Sequence, residues 1–167
     1  MYKIFSAALA ATAIVCALVV PVRAEPIKIE AVLAPKKQMR LDFADGSKRF
    51  VLLVRREGTA AGSGPLNGAA VTEFGMHDIT RGVDGDPRGF LEFTDATGSK
   101  AYVKWQVRAV FVPGAEGKPK LLDYGFWELV GGTGAFAGMK GLGTLRIKAA
   151  SKTDRRFILE GELVPGT

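Results

Sequence analysis

The chain has one cysteine and one histidine in 167 residues. Cys16 sits in an apolar N-terminal run that reads as a removable leader, so the mature protein is expected to have no disulfide and no thiol chemistry. His77 stands alone, with no His-x-His or His-Glu-x-x-His spacing around it. Zinc would need carboxylates gathered from several strands, so no metal site and no cofactor are expected. His77-Asp78 on a strand would point to opposite faces, which excludes an orienting pair and suggests a solvent-facing or loop-end histidine. Past the leader there is no second long apolar run to cross a membrane and no convincing helical periodicity.

The leader has Lys3 as its positive start, an apolar stretch from Ile4 to Val20, and Val22-Arg23-Ala24 as a small-residue cleavage site. Pro21 and that site favour removal over a retained anchor. Val15 before Cys16 is too large for a lipidation site. Residues 1–24 are therefore expected to be a signal peptide and residues 25–167 one domain, periplasmic or secreted, without a membrane span after cleavage. The domain is long enough for one core. Losing Lys3 and Arg23 lowers the formal charge from +6 to +4. The excess is spread over short pairs, Lys36-Lys37, Lys48-Arg49, Arg55-Arg56 and Arg155-Arg156, which read as solvated strand ends. No aromatic-interleaved basic motif accompanies them, so nucleic acid is not an expected partner.

Extended segments separated by turn chemistry fill the rest. Expected strands run from Ile27 to Leu33, Met39 to Phe43, Arg49 to Arg56, Ala69 to Ile79, Gly89 to Thr94, Ala101 to Val112, Leu121 to Val130, Thr144 to Ala149 and Arg156 to Val164. Gly58 to Gly68 reads as a small-residue loop, and Asp95 to Ser99 as a hairpin turn. Between Ala101 and Val112 the alternation of Val103, Trp105, Val107 and Ala109 with Lys104, Gln106 and Arg108 marks one apolar face. Gly125 inside its strand suggests a bulge or bend. Eight or nine strands without crossover helices imply an all-β fold, most simply a single antiparallel barrel of about eight strands, with a sandwich as the alternative.

The densest signal is Gly131-Gly132-Thr133-Gly134-Ala135-Phe136-Ala137-Gly138-Met139-Lys140-Gly141-Leu142-Gly143, six glycines in thirteen residues. Thr133 is placed to cap a short turn. A dinucleotide fingerprint would need a long helix and a parallel strand behind Gly132-x-Gly134, and a P-loop would need Gly before Lys140 and Ser or Thr after it. Neither follows. The segment resembles the glycine-rich motif near the C-terminal end of allene oxide cyclase and dirigent barrels, which run Gly-Gly-Thr-Gly with an aromatic two residues on. The close match covers about Glu128 to Leu145. The resemblance implies a small antiparallel barrel that holds a reactive guest in one conformation without a metal or organic cofactor. It transfers no active-site residue, and Gly131, Gly132, Thr133, Gly134, Phe136, Gly138, Gly141 and Gly143 read as architecture.

A ligand in the lumen would meet apolar walls and a few orienting polar groups. The candidates are Trp105, Tyr124 and Trp127 for binding and Glu73, Glu92 and Glu128 for catalysis, although a strand carboxylate is more often a solvated outer residue. The expected function is an exported, cofactor-free barrel binding an apolar or aromatic small molecule. The alternatives are an isomerase or cyclase with a lumenal carboxylate and a structural envelope barrel filled by its own side chains. The oligomeric state stays open, a homo-oligomer included.

Overall fold

A computed structural model describes residues 23–117 and 119–166. Nine strands follow in order: β1 Glu25–Asp42, β2 Arg49–Ser63, β3 Ala70–Thr80, β4 Asp84–Gly85, β5 Arg88–Thr94, β6 Lys100–Pro113, β7 Pro119–Gly132, β8 Met139–Ala149 and β9 Arg155–Pro165. Eight of them form an antiparallel meander that β9 closes onto β1, from Glu25 opposite Leu163 to Leu33 opposite Arg155. The two-residue β4 bridges β3 and β6 above the end of β5. Closure leaves no free edge around the ring.

The two short strands expected at Ile27 to Leu33 and Met39 to Phe43 are one strand. A register shift between Pro35 and Lys37 bends it where its ladder to β9 has ended, a place where proline's missing N–H costs nothing. The expected loop from Gly58 is also partly strand, because β2 continues to Ser63. There Gly58 and Gly62 lie so close to β1 that a Cβ would sit 2.2 and 2.0 Å from its carbonyl oxygens. Gly125 pairs regularly with Val107, and the register shift in β6–β7 falls at Tyr102/Val103 instead.

Inward positions alternate with outward ones on every strand, and the lumen is largely filled by side chains such as Trp105, Trp127, Phe93, Phe157 and Leu159. One register row explains how two indoles fit. It runs Gly75–Gly89–Trp105–Trp127–Gly143–Gly161 across β3, β5, β6, β7, β8 and β9. The flanking glycines contribute no side chain, so the two tryptophans occupy the cross-section.

The meander puts the β2–β3, β5–β6 and β7–β8 connections at one end, here the lower end. Leu66 and Phe136, both fully buried, plug it. Phe136 belongs to a single 3-10 turn, Gly134–Phe136, inside the glycine-rich segment. Thr133 does not cap that turn: its Oγ1 accepts from the Lys100 N–H, and its own N–H donates to the Lys100 carbonyl at 2.8 Å. Ser99 Oγ accepts from the Ala135 N–H and holds the turn to the β5–β6 hairpin. Among the described residues no helix is long and apolar enough to cross a membrane.

Candidate functional site

Toward the upper end the lumen changes character. Arg56 and Glu73 face each other across β2–β3, both inward and both buried, with Arg56 Nη1 donating to Glu73 Oε2 at 2.7 Å. His77 lies on the same face of β3 as Glu73. Its Nε2 is 3.1 Å from Glu73 Oε1 and 3.2 Å from Arg56 Nη1, so one tautomer donates to the carboxylate and the other accepts from the guanidinium. The imidazole also leans on Trp105 at 5.8 Å between ring centroids, and Trp105 meets Phe157 edge-on at 5.6 Å. A polar cluster thus rests on an aromatic floor.

Asp123 on β7 and Arg155 at the start of β9 complete the cluster. Burial pushes the Asp123 carboxyl up to about 6, against the pull of the His77 and Arg155 charges. Burial, and then repulsion from Arg56, lowers the Arg155 guanidinium, while Asp123 and Glu73 pull the other way. Three buried polar atoms here have no hydrogen-bond partner among the described residues: Asp123 Oδ1, Arg56 Nε and Trp105 Nε1. Each belongs to a side chain that touches His77 or feels its charge. Orphaned buried polar atoms are costly and uncommon, and several around one side chain mark a place that can receive a polar group.

The sequence candidates divide by strand face. Glu73 and Trp105 are in the cluster. Glu92 is on the outer face, bound to Lys100 at 2.5 Å. Glu128 and Tyr124 are also outside and exposed. These three do not reach the lumen, because they occupy the positions alternate to Trp127 and Leu91. Trp127 faces inward but is enclosed: Gly141, Gly143 and Gly161 form its seat, and its Nε1 donates to the Glu160 carbonyl at 3.3 Å. His77 is inward, not solvent-facing, while Asp78 on the opposite face binds Arg49.

Sequence reasoning missed Arg56, Asp123 and Arg155. Two of the four basic pairs read as solvated strand ends, Arg55-Arg56 and Arg155-Arg156, each contain one buried or half-buried lumenal arginine, since neighbours on a strand face opposite ways. The available signal was parity: Arg56 is two residues from Val54, and Asp123 is four from Trp127. Among the described residues no group of three or more His, Cys, Asp and Glu is placed to hold a metal ion.

A closed eight-strand antiparallel barrel with one plugged end and a charged, aromatic-floored upper lumen is thus the class of protein this chain forms. It resembles dirigent barrels. A pterocarpan synthase dirigent protein shares the fold over 94% of this chain and 98% of its own, at 13% identity and a TM-score of 0.50. A second pterocarpan synthase dirigent protein (14% identity, 86% and 97% covered, TM-score 0.49) and a β-barrel-like protein from Acinetobacter baumannii AYE (15%, 86% and 96%, 0.46) are more distant. At these identities the likeness is one of fold. No family model matches the sequence, and no curated protein matches it.

Proposed function

We propose that the barrel binds an apolar or aromatic small molecule carrying a polar group at the upper end of its lumen. The observation that carries this reading is that Asp123, Arg56 and Trp105, each with a buried polar atom unpartnered among the described residues, are three side chains that neighbour His77 or feel its charge. The filled lower lumen restricts a guest to this end. There Trp105 supplies apolar contact and the cluster fixes orientation. Calorimetric titration with 2-naphthol, an aromatic hydroxyl compound, tests the reading. Saturable binding that persists at high salt and weakens in Asp123→Asn supports it; no binding favours a barrel that serves only as structure.

A second reading, acid–base catalysis on the same guest, is favoured by Asp123. A carboxyl at about 6 beside His77 can exchange a proton near neutral pH, as an isomerase or cyclase requires. Turnover of a bound guest that is lost in Asp123→Asn while binding remains would separate catalyst from carrier.

The proposal includes export to the periplasm or beyond, with residues 1–24 removed. It is supported by the leader pattern and by β1 starting at Glu25, the residue expected to follow cleavage. N-terminal sequencing of envelope-fraction protein tests it, and an intact Met1 contradicts it.

A further inference from the structure

A concavity of about 660 Å³ lies on the outer wall of the barrel, across β1, β2, β3, β5 and β6, and Trp105 and Gly75 border it as well as the lumen. Met39, Leu53, Phe74, Met76 and Phe90 give it an apolar surface. Register explains their gathering: Met39 is opposite Leu53, Leu53 opposite Met76, and Phe74 opposite Phe90, so all project outward together. Phe74 and Phe90 remain 53% and 48% exposed, unusual for phenylalanines on a strand wall.

Charge distinguishes this groove from a merely greasy patch. Lys37, Arg55, Arg88 and Lys104 line it, and no carboxylate does. Glu57 at its margin binds Arg55 at 2.5 Å, and Glu128 is the cross-strand neighbour of Lys104. Among the described residues Arg55 Nε is buried with no acceptor, and Lys37 and Lys104 make no ion pair.

We propose that this groove binds a single-chain aliphatic carboxylate, its tail along Phe74, Phe90 and the two methionines and its head among the cations. The volume is within the range of small-ligand sites. An apolar floor edged by cations complements a molecule with one tail and one negative end. A second copy docked by two-fold symmetry would set four cations against the same four cations. A flat bilayer would not fill a concave wall.

Methionine-methyl NMR of the full-length protein, titrated with dodecanoate, tests the site. Met39 and Met76 line the groove, whereas Met139 packs against the core and serves as an internal control. The expected result is a saturable shift of Met39 and Met76 with Met139 and the Trp127 indole N–H unmoved. Affinity should fall about tenfold in Arg88→Glu/Lys104→Glu, whose exposed positions leave the fold intact, and fall with added salt. Dodecyltrimethylammonium should bind at least tenfold more weakly than dodecanoate. The proposal is overturned by equal binding of that cation, by no shift at Met39 and Met76, by dilution-dependent shifts in free protein, which would identify a second copy, or by shifts produced only by anionic phospholipid vesicles. Because Asp123 does not line the groove, Asp123→Asn should weaken 2-naphthol binding and leave dodecanoate binding unchanged, so failure of either site is visible without the other.

Discussion

Glu73 and His77 are four residues apart on one strand, yet their side chains meet at 3.1 Å. Four strand residues span about 13 Å, so both side chains must lie along the strand toward each other. The residue between them on that face is Gly75. A Cβ there would be 2.3 Å from Glu73 Oε1 and 2.8 Å from His77 Nε2, so glycine provides the lane in which they meet.

Glu73 is also the buried counter-ion of Arg56, with side chains 0% and 5% exposed. Neutralising one member leaves an uncompensated charge in the lumen. Glu73→Gln is expected to lower unfolding free energy by about 3 kcal/mol or more, whereas Glu73→Gln/Arg56→Met should recover much of that loss. Chemical denaturation of the two variants checks it. Equal stability of single variant and wild type would contradict the pairing.

Asp123 should behave in the opposite sense. Its folded-state pKa is raised from 3.8 to about 6, so folding favours the protonated form. The stability this contributes is fully present below about pH 4 and is lost as pH rises through 6. At pH 7 to 8, Asp123→Asn is therefore expected to be more stable than wild type by roughly 3 kcal/mol, the difference vanishing near pH 4. Melting curves across that range check it; an Asn variant weaker at pH 8 would mean the attraction to the Arg155 charge outweighs burial.

The glycine-rich segment makes two different demands. Gly143 seats Trp127: a Cβ would be 2.0 Å from the Glu160 carbonyl oxygen and 2.7 Å from the indole Nε1. Gly138 has open space around it and needs only its φ of +72°. Gly143→Ala should cost about 3 kcal/mol or more, and Gly138→Ala about 1 kcal/mol. Paired denaturation curves would show the order, and a reversed order would contradict the seat.

The barrel was legible in the sequence because turn residues and strand alternation survive translation into structure, as the Gly89 to Thr94 and Ala101 to Val112 hairpin shows. The glycine-rich segment stood out by density, but what its glycines meet did not: Gly143 lies against Trp127 on β7, and Gly141 against Leu163 and the Glu162 carbonyl on β9. The site was only half legible. Glu73 and Trp105 stood out by residue type, whereas Arg56, Asp123 and Arg155 come together through barrel closure and not through spacing in the chain. His77 was misjudged because a lone histidine beside an aspartate gives no sign of a carboxylate four residues back. Glu92, Glu128 and Tyr124 stood beside Glu73 as candidates because both faces of their strands carry apolar residues, so alternation did not identify the lumen, and they take the outer-face positions more usual for such groups.

A guest at the upper lumen would be held beside Trp105. The two indole N–H groups test this, because Trp127 Nε1 donates to the Glu160 carbonyl while Trp105 Nε1 has no partner among the described residues. In a proton–nitrogen correlation spectrum titrated with 2-naphthol, the Trp105 indole resonance should move saturably and the Trp127 resonance should stay in place. Both resonances unmoved at saturating compound, or Trp127 moving alone, would contradict a guest in the upper lumen.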